Sequence, residues 1–327
     1  MEFLFLDWLG NPLWMWLVFL AIVITLLVLD LGVLHRKERE IGVRESLALS
    51  AGYISLGLAF GGWVWWYLGE TAGLQFITGF VIEKSLAMDN VFVIAMIFSY
   101  FAVPRLYQHR VLFWGILGVI VLRAIMIGFG TSLVEQFEWV LYVFAAFLIF
   151  TGIKMWLMAE HEYDVGSSRA LAFVRRHFPV ADKLHGKQFW VRQPDPATGK
   201  LRWFATPLFL ALVMIEVVDV VFAIDSVPAI FAITTDPFIV YTSNIFAILG
   251  LRALYFALAA MAHRFHYLKY ALAVLLVFIG SKIFVADMFG LAKIPPSLSL
   301  GITFAILAAG IGWSLWKTRA TRATSVV

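Results

Sequence analysis

Apolar residues in this chain come in continuous runs of about 20, the length that carries an α-helix across a hydrocarbon core. The runs predict spans at approximately 11–34, 46–67, 72–101, 109–130, 138–158, 205–231, 238–262, 267–288 and 297–316. They do not alternate apolar and polar positions in short segments, as the strands of a lipid-facing barrel would. The pattern predicts an all-α polytopic membrane protein of about nine transmembrane helices.

Composition narrows the class. Of 327 residues, 62% are hydrophobic and only 14% charged, which excludes a soluble multidomain chain. The net charge of +4 would suit nucleic acid, but the basic residues stand between the apolar runs, where they orient helices. Lys and Arg collect in alternate connections: Arg36, Lys37, Arg39 and Arg44; Arg105 and Arg110; the 159–204 segment; Arg264 with Lys269; and Lys317, Arg319 and Arg322. The intervening connections hold Glu70, Glu135, Glu138, Asp236 and Asp287, with Lys293 almost alone in positive charge. Because Lys and Arg resist translocation, the N-terminus is expected outside and the C-terminus in the cytoplasm. The opening residues lack the basic region and cleavage site of a secretory signal, so the first helix is expected to stay.

Within 159–204, Phe189-Trp-Val-Arg and Leu201-Arg-Trp-Phe flank a turn-rich Pro194–Gly199 stretch and predict a cytoplasmic β-hairpin. Its surroundings are basic, so the segment either stays solvated or meets anionic lipid head groups. There is no cysteine, and the seven histidines fall in loops or at helix ends, which excludes a thiolate metal site and leaves an imidazole one without support.

An internal repeat organises the rest. Asp89-Asn-Val-Phe-Val-Ile matches Asp219-Val-Val-Phe-Ala-Ile, Leu122-Arg123-Ala matches Leu251-Arg252-Ala, and Phe150-Thr-Gly-Ile-Lys154 matches Phe278-Ile-Gly-Ser-Lys282, at offsets of 130, 129 and 128 residues. Each unit holds three helices, an odd number, so the two units enter the membrane from opposite sides. An inverted 3+3 repeat is a recurrent plan of secondary transporters, with substrate held near mid-depth. The organisation is two N-terminal helices (1–70), a first repeat (71–158), the hairpin loop (159–204), a second, inverted repeat (205–290), and a last helix with a basic tail (291–327).

Charges inside these runs carry the functional signal. The third predicted helix contains Glu83, Lys84, Asp89 and Asn90; the sixth contains Glu216, Asp219, Asp225 and Ser226. One charge at mid-bilayer costs on the order of 2.5–3.5 kcal/mol on insertion scales, so something must bind or neutralise them. Arg123 and Arg252, at matching repeat positions, are candidate partners. The acids outnumber Lys84, Arg123 and Arg252, leaving room for a cation or protons. Asp225 projects opposite Glu216 on a straight helix, so Pro228 is expected to unwind the sixth helix beside Asp225, with a matching break in the third near Glu83–Asn90. Carboxylates, an amide, a hydroxyl and freed carbonyls are hard donors suited to manganese, magnesium or calcium. Met88 and Met214 lie nearby, as packing residues.

The segments Glu83-Lys-Ser-Leu-Ala-Met-Asp-Asn-Val-Phe-Val93 and Glu216-Val-Val-Asp-Val-Val-Phe-Ala-Ile-Asp-Ser-Val-Pro228 resemble the TerC family of integral membrane proteins. Thr234-Thr-Asp-Pro-Phe238, Ala205-Thr-Pro207 and Thr242-Ser-Asn-Ile-Phe-Ala-Ile-Leu-Gly-Leu-Arg-Ala253, with Asn244 within it, extend the likeness over nearly the whole chain. The resemblance implies manganese efflux across a bacterial inner membrane, a fold linked to the LysE transporter superfamily, and Glu83, Asp89, Asn90, Glu216, Asp219 and Asp225 as metal or proton-coupling residues. It also implies Mn²⁺ as cargo rather than a permanent cofactor, with protons and the bilayer as the other partners, and it is compatible with a homo-oligomer. Some relatives are implicated in metalation or assembly of exported proteins, which supplies a second reading as a membrane accessory protein. An intramembrane aspartyl protease would need a Gly-x-Gly-Asp signature that is missing, so no enzyme is expected.

Overall fold

Among the described residues six helices are long and apolar enough to cross a membrane: α2 (Val43–Leu68), α4 (Arg105–Gln136), α5 (Val140–Leu157), α7 (Pro207–Phe231), α10 (Leu268–Met288) and α11 (Pro296–Thr324), the last over Pro296–Thr318. A seventh span forms if α8 (Pro237–Leu249) and α9 (Leu251–Ala259), bent by 43° where they meet, count as one. Two of the nine predicted spans do not meet that standard. The helix α1 (Leu13–Gly32) qualifies as apolar only over the shorter stretch Leu13–Leu29, and α3 (Glu70–Tyr100) carries Glu83, Lys84 and Asp89 in its apolar run.

The computed structural model describes residues 2–32, 42–158, 165–166, 168–194, 199–259, 267–289 and 294–324. Arg36, Lys37, Arg39, Arg264, Lys293 and the turn at 195–198 lie outside the described residues, as do the side chains of Arg319 and Arg322. A short pair, β1 (Asp7–Trp8) and β2 (Asn11–Pro12), precedes α1. Between α5 and α7 stand α6 (Arg169–His177) and an antiparallel hairpin, β3 (Trp190–Pro194) and β4 (Leu201–Ala205), in register from Trp190 opposite Ala205 to Pro194 opposite Leu201.

The bundle has two chemically distinct ends. At one, Glu135, Glu138, Asp287 and Thr234 surround a common cavity. At the other, Arg110 stacks on Phe189 of the hairpin, Tyr255 donates to Gln108, and α6 packs on α7. These are called the acidic and the basic end below.

Between the ends, α3 packs against α8, α4 against α7, and α5 along most of α10. Apolar side chains gain nothing from leaving lipid for a helix neighbour, so close backbone approach at small residues must hold such a bundle. The pair α5 and α10 shows it reciprocally. A Cβ on Gly152 would stand 2.7 Å from the Ala273 carbonyl and 3.1 Å from Val277 N; one on Gly280 would stand 2.5 Å from the Ala145 carbonyl and 3.2 Å from Ile149 N. Elsewhere, Gly57 and Gly61 of α2 make room for the rings of Phe80 and Phe76 of α3, and Gly69, at φ +96°, reverses the chain between those two helices.

The two expected helix breaks are absent. The helix α3 is continuous through Glu83–Asn90, and α7 runs through Pro228 to Phe231. Pro228 falls in the last turn of α7, where the bond it removes, to the carbonyl of Ile224, is not followed by enough helix to unwind. The bend occurs instead at Gly250, where a Cβ would press on Lys84 and Tyr53 at 2.9 Å.

Overpacking by one methyl typically costs about 1–3 kcal/mol. Gly152→Ala and Gly280→Ala are each expected to lower the thermal stability of detergent-purified protein by that order, and unchanged melting for both would show that α5 and α10 do not meet at these glycines.

Candidate functional site

Arg123 sits at the middle of α4, 1% exposed, and draws acceptors from three other helices onto one guanidinium. Its Nε donates to Asp219 Oδ2 at 3.4 Å and its Nη2 to Asp219 Oδ1 at 3.4 Å, a forked grip from α7. Its Nη1 donates to Glu83 Oε1 of α3, to Ser226 Oγ of α7 at 3.1 Å and to Asn244 Oδ1 of α8 at 2.9 Å. Asn244 closes the ring by donating from Nδ2 to Glu83 Oε2 at 3.2 Å. The planar, permanently charged fork of arginine suits two carboxylates held at fixed angles, which a lysine's point charge would not. Glu83 and Asp219 are 3% and 5% exposed, so both have exchanged nearly all their hydration for this network.

Lys84 turns away from the ring. It is buried, and its Nζ donates to the carbonyl of Ala247 at 2.8 Å, in the last turn of α8 beside the Gly250 bend. The lysine thus anchors the bent span to α3. Arg252 is buried at the start of α9 and takes no part in the Arg123 ring.

Asp89 and Asp225 stand elsewhere. With Asn90, Arg123, Ser226, Thr151 and Lys154 they line a cavity of about 210 Å³, whose wall also holds Met155 of α5 and Met158 just beyond it. At roughly 30 Å³ per water, it has room for a cation with part of its hydration shell. Asn90 and Ser226 belong to both regions. Asn90 donates to Asp219 at 3.5 Å and faces the cavity, its Oδ1 buried without a hydrogen-bond partner, while Ser226 accepts from Arg123 and faces the cavity.

Glu216 joins neither region. Its carboxylate lies over Gly118 of α4, where any Cβ would collide with it, and its Oε2 is buried without a hydrogen-bond partner. The continuous α7 explains the division, since Glu216 and Asp225 lie on opposite sides of one unbroken helix. The five predicted acids and the amide therefore do not converge on a point; among the described residues no three acidic or histidine side chains stand close enough to hold a metal ion unaided.

Two cations were not assigned to the site by the sequence reading. The charge of Lys269 reaches Asp89, and that of Lys154, with the hydroxyl of Thr151, faces Asp225. With Arg123 they set three cations among Glu83, Asp89, Asp219 and Asp225. Lys154 was visible in the Phe150–Lys154 repeat match, but nothing in the sequence pointed its side chain at Asp225.

A buried ring of charge between packed membrane-type helices, with an aqueous-sized cavity reaching it, defines an integral membrane protein with an internal polar site. The chain belongs to the integral membrane protein TerC family, whose model matches residues 68–322. It is 48% identical over 310 residues to the "Uncharacterized membrane protein STKORF319" of Myxococcus xanthus, covering 95% of this chain and 94% of that protein. It is also 48% identical over 316 residues to the "Putative membrane-bound redox modulator Alx" of Escherichia coli K12 and of Salmonella typhi, covering 94% of this chain and 95% of each relative. No solved structure matches the chain.

Removing one partner from a buried ion pair typically costs about 3–5 kcal/mol, because a charge is left uncompensated. Arg123→Gln is therefore expected to abolish recovery of monodisperse, cooperatively melting protein. Adding Glu83→Gln and Asp219→Asn to it should restore folding; a triple variant no more stable than the single one would show that the charges are not what binds these helices.

Proposed function

We propose that this chain is a secondary transporter that exports a hard divalent cation, Mn²⁺ foremost, in exchange for protons. The observation that carries the reading is the cavity itself: Asp89 and Asp225, with Asn90 and Ser226, offer oxygen donors to a space that reaches the Arg123 ring halfway along the bundle. Oxygen-only donors favour manganese, magnesium or calcium over softer metals.

In this reading a cation arriving from the basic end displaces the lysine charges and any protons from Asp89 and Asp225. Asn90 and Ser226 couple its arrival to the ring, because each touches both the cavity and a group bound to Arg123 or Asp219. Glu216, Asp219 and Glu83 complete the set of carboxylates that load and release protons as the bundle changes state.

An inverted repeat supports exchange between two access states. The contact of Gly152 with Ala273 and Val277 becomes that of Gly280 with Ala145 and Ile149 when 128 is added to, or taken from, each residue number. The same shift carries Lys154, Met155 and Met158, which line the inner cavity, onto Lys282, Ile283 and Ala286, which line a cavity of about 730 Å³ at the acidic end. Nine crossings of a bacterial inner membrane, with the N-terminus outside and the basic end in the cytoplasm, complete the proposal.

The name of the Alx relatives speaks of redox. With no cysteine in its 327 residues, this chain has no thiol exchange open to it, and moving a redox-active metal is the route by which it would act on redox state. The accessory reading, in which the protein helps metalate or assemble exported proteins, draws on the hairpin, whose Leu201 and Trp203 are exposed.

Purified protein in proteoliposomes is expected to move Mn²⁺, with Ca²⁺ and Mg²⁺ competing better than Zn²⁺. Asp89→Asn and Asp219→Asn should each cut flux by about tenfold or more; full flux in both variants would overturn the assignment. Deleting residues 185–202 should leave vesicle flux standing, and a protein that keeps flux yet loses its effect on exported proteins in cells would favour the accessory role.

A further inference from the structure

The two cavities approach each other along α3 and α7 without meeting. On α3, Thr78 lines the acidic-end cavity and Leu86 the inner one; eight residues of helix separate them, roughly 12 Å at 1.5 Å per residue. On α7, Ser226 lines the inner cavity and Phe231 the acidic-end one, about 7.5 Å apart by the same rise. The stretch of α7 between them, Val227 to Ile230, is buried throughout. This is the thinnest partition between the charged site and the acidic end.

Two glycines shape it. The tip of Ile230 fills the space that a Cβ on Gly79 of α3 would take, and the ring of Phe231 lies 2.6 Å from where a Cβ on Gly130 of α4 would stand. Both side chains are thus seated against bare backbone, a fit that closes the partition without covalent or ionic links and can be released by a small shift. The helix is also built to shift there. Pro228 supplies no N–H to the carbonyl of Ile224, so the last turn of α7 is tied to the rest of the helix by one hydrogen bond fewer than a regular turn.

We propose that the last turn of α7, Pro228 to Phe231, is the gate between the charged site and the acidic-end cavity, moving about Pro228 and closing by seating Ile230 on Gly79 and Phe231 on Gly130. The inference rests on the transport reading and assigns it a moving part. In the structure the gate is shut, and the inner cavity, lined by Lys154, Met155 and Met158, lies on the other side of it.

The absence of native cysteine makes a labelling test clean. Single-cysteine variants Gln75→Cys, in the acidic-end cavity, and Leu86→Cys, in the inner one, are placed in oriented membrane vesicles and exposed to a membrane-impermeant methanethiosulfonate on one side at a time. Gln75→Cys is expected to react from the acidic-end side and Leu86→Cys only from the basic-end side. Adding Phe231→Ala should raise the acidic-side rate of Leu86→Cys by about tenfold or more, a barrier lowered by about 1.4 kcal/mol. Retained reaction from the basic side reports that the variant is folded; if Phe231→Ala does not fold, Gly130→Ala, whose methyl displaces the same ring, carries the same expectation. Acidic-side labelling of Leu86→Cys that stays at background in both backgrounds, or that is already fast with Phe231 in place, overturns the gate. Labelling needs no Mn²⁺, so a failed gate leaves the flux assignment standing, and an opening gate without Mn²⁺ flux overturns the cargo alone.

Discussion

One guanidinium ties the bundle together. Arg123 reaches Asp219 and Ser226 on α7, Glu83 on α3 and Asn244 on α8, so four helices share a single charged junction at their midpoints. In a low-dielectric setting that junction is strong only as a complete set: each member has surrendered water, and the loss of one strands the others. Whatever motion the protein makes must either carry these four helices together or exchange one ligand of Arg123 for another. Asn90 and Ser226, at the edge between ring and cavity, are the groups through which such an exchange would begin.

Around the junction three cations stand among four acids. Glu83 and Asp219 answer Arg123, while Asp89 and Asp225 look across a cavity toward Lys269 and Lys154. A site that sets cations beside its acids lowers the cost of carboxylates inside a membrane. It also gives an incoming divalent cation something to displace. Two long, flexible lysines are weaker competitors for oxygen than a forked arginine, so Asp89 and Asp225 give up their partners more readily than Glu83 and Asp219.

The reciprocal glycine contacts of α5 and α10 explain how the same scaffold makes a cavity at each end. Gly152 and Gly280 bring the two backbones together at two related places, with Lys154 of α5 lining the inner cavity and Lys282 of α10 the acidic-end one. The partition between the cavities falls where the last turn of α7 meets Gly79 and Gly130.

What the amino-acid sequence determined by itself was the helical membrane class, the positions of the apolar runs, and the presence of charge at mid-run. These follow from local rules: lipid demands about 20 apolar residues with internal hydrogen bonding, and a charge in such a run must have a reason to be there. Which acid meets which base was decided only by tertiary structure, because a side chain's partner depends on where its helix crosses another. Thus Asp219 went to Arg123 and Asp225 to the cavity, and Glu216 went to neither, although all three lie on one helix. The bends were decided in the same way. Pro228 and the stretch Glu83–Asn90 read as breaks, yet Pro228 falls too near the helix end to break it and α3 runs straight through. Gly250, where the chain does bend, is set by the approach of Lys84 and Tyr53 from helices far away in sequence.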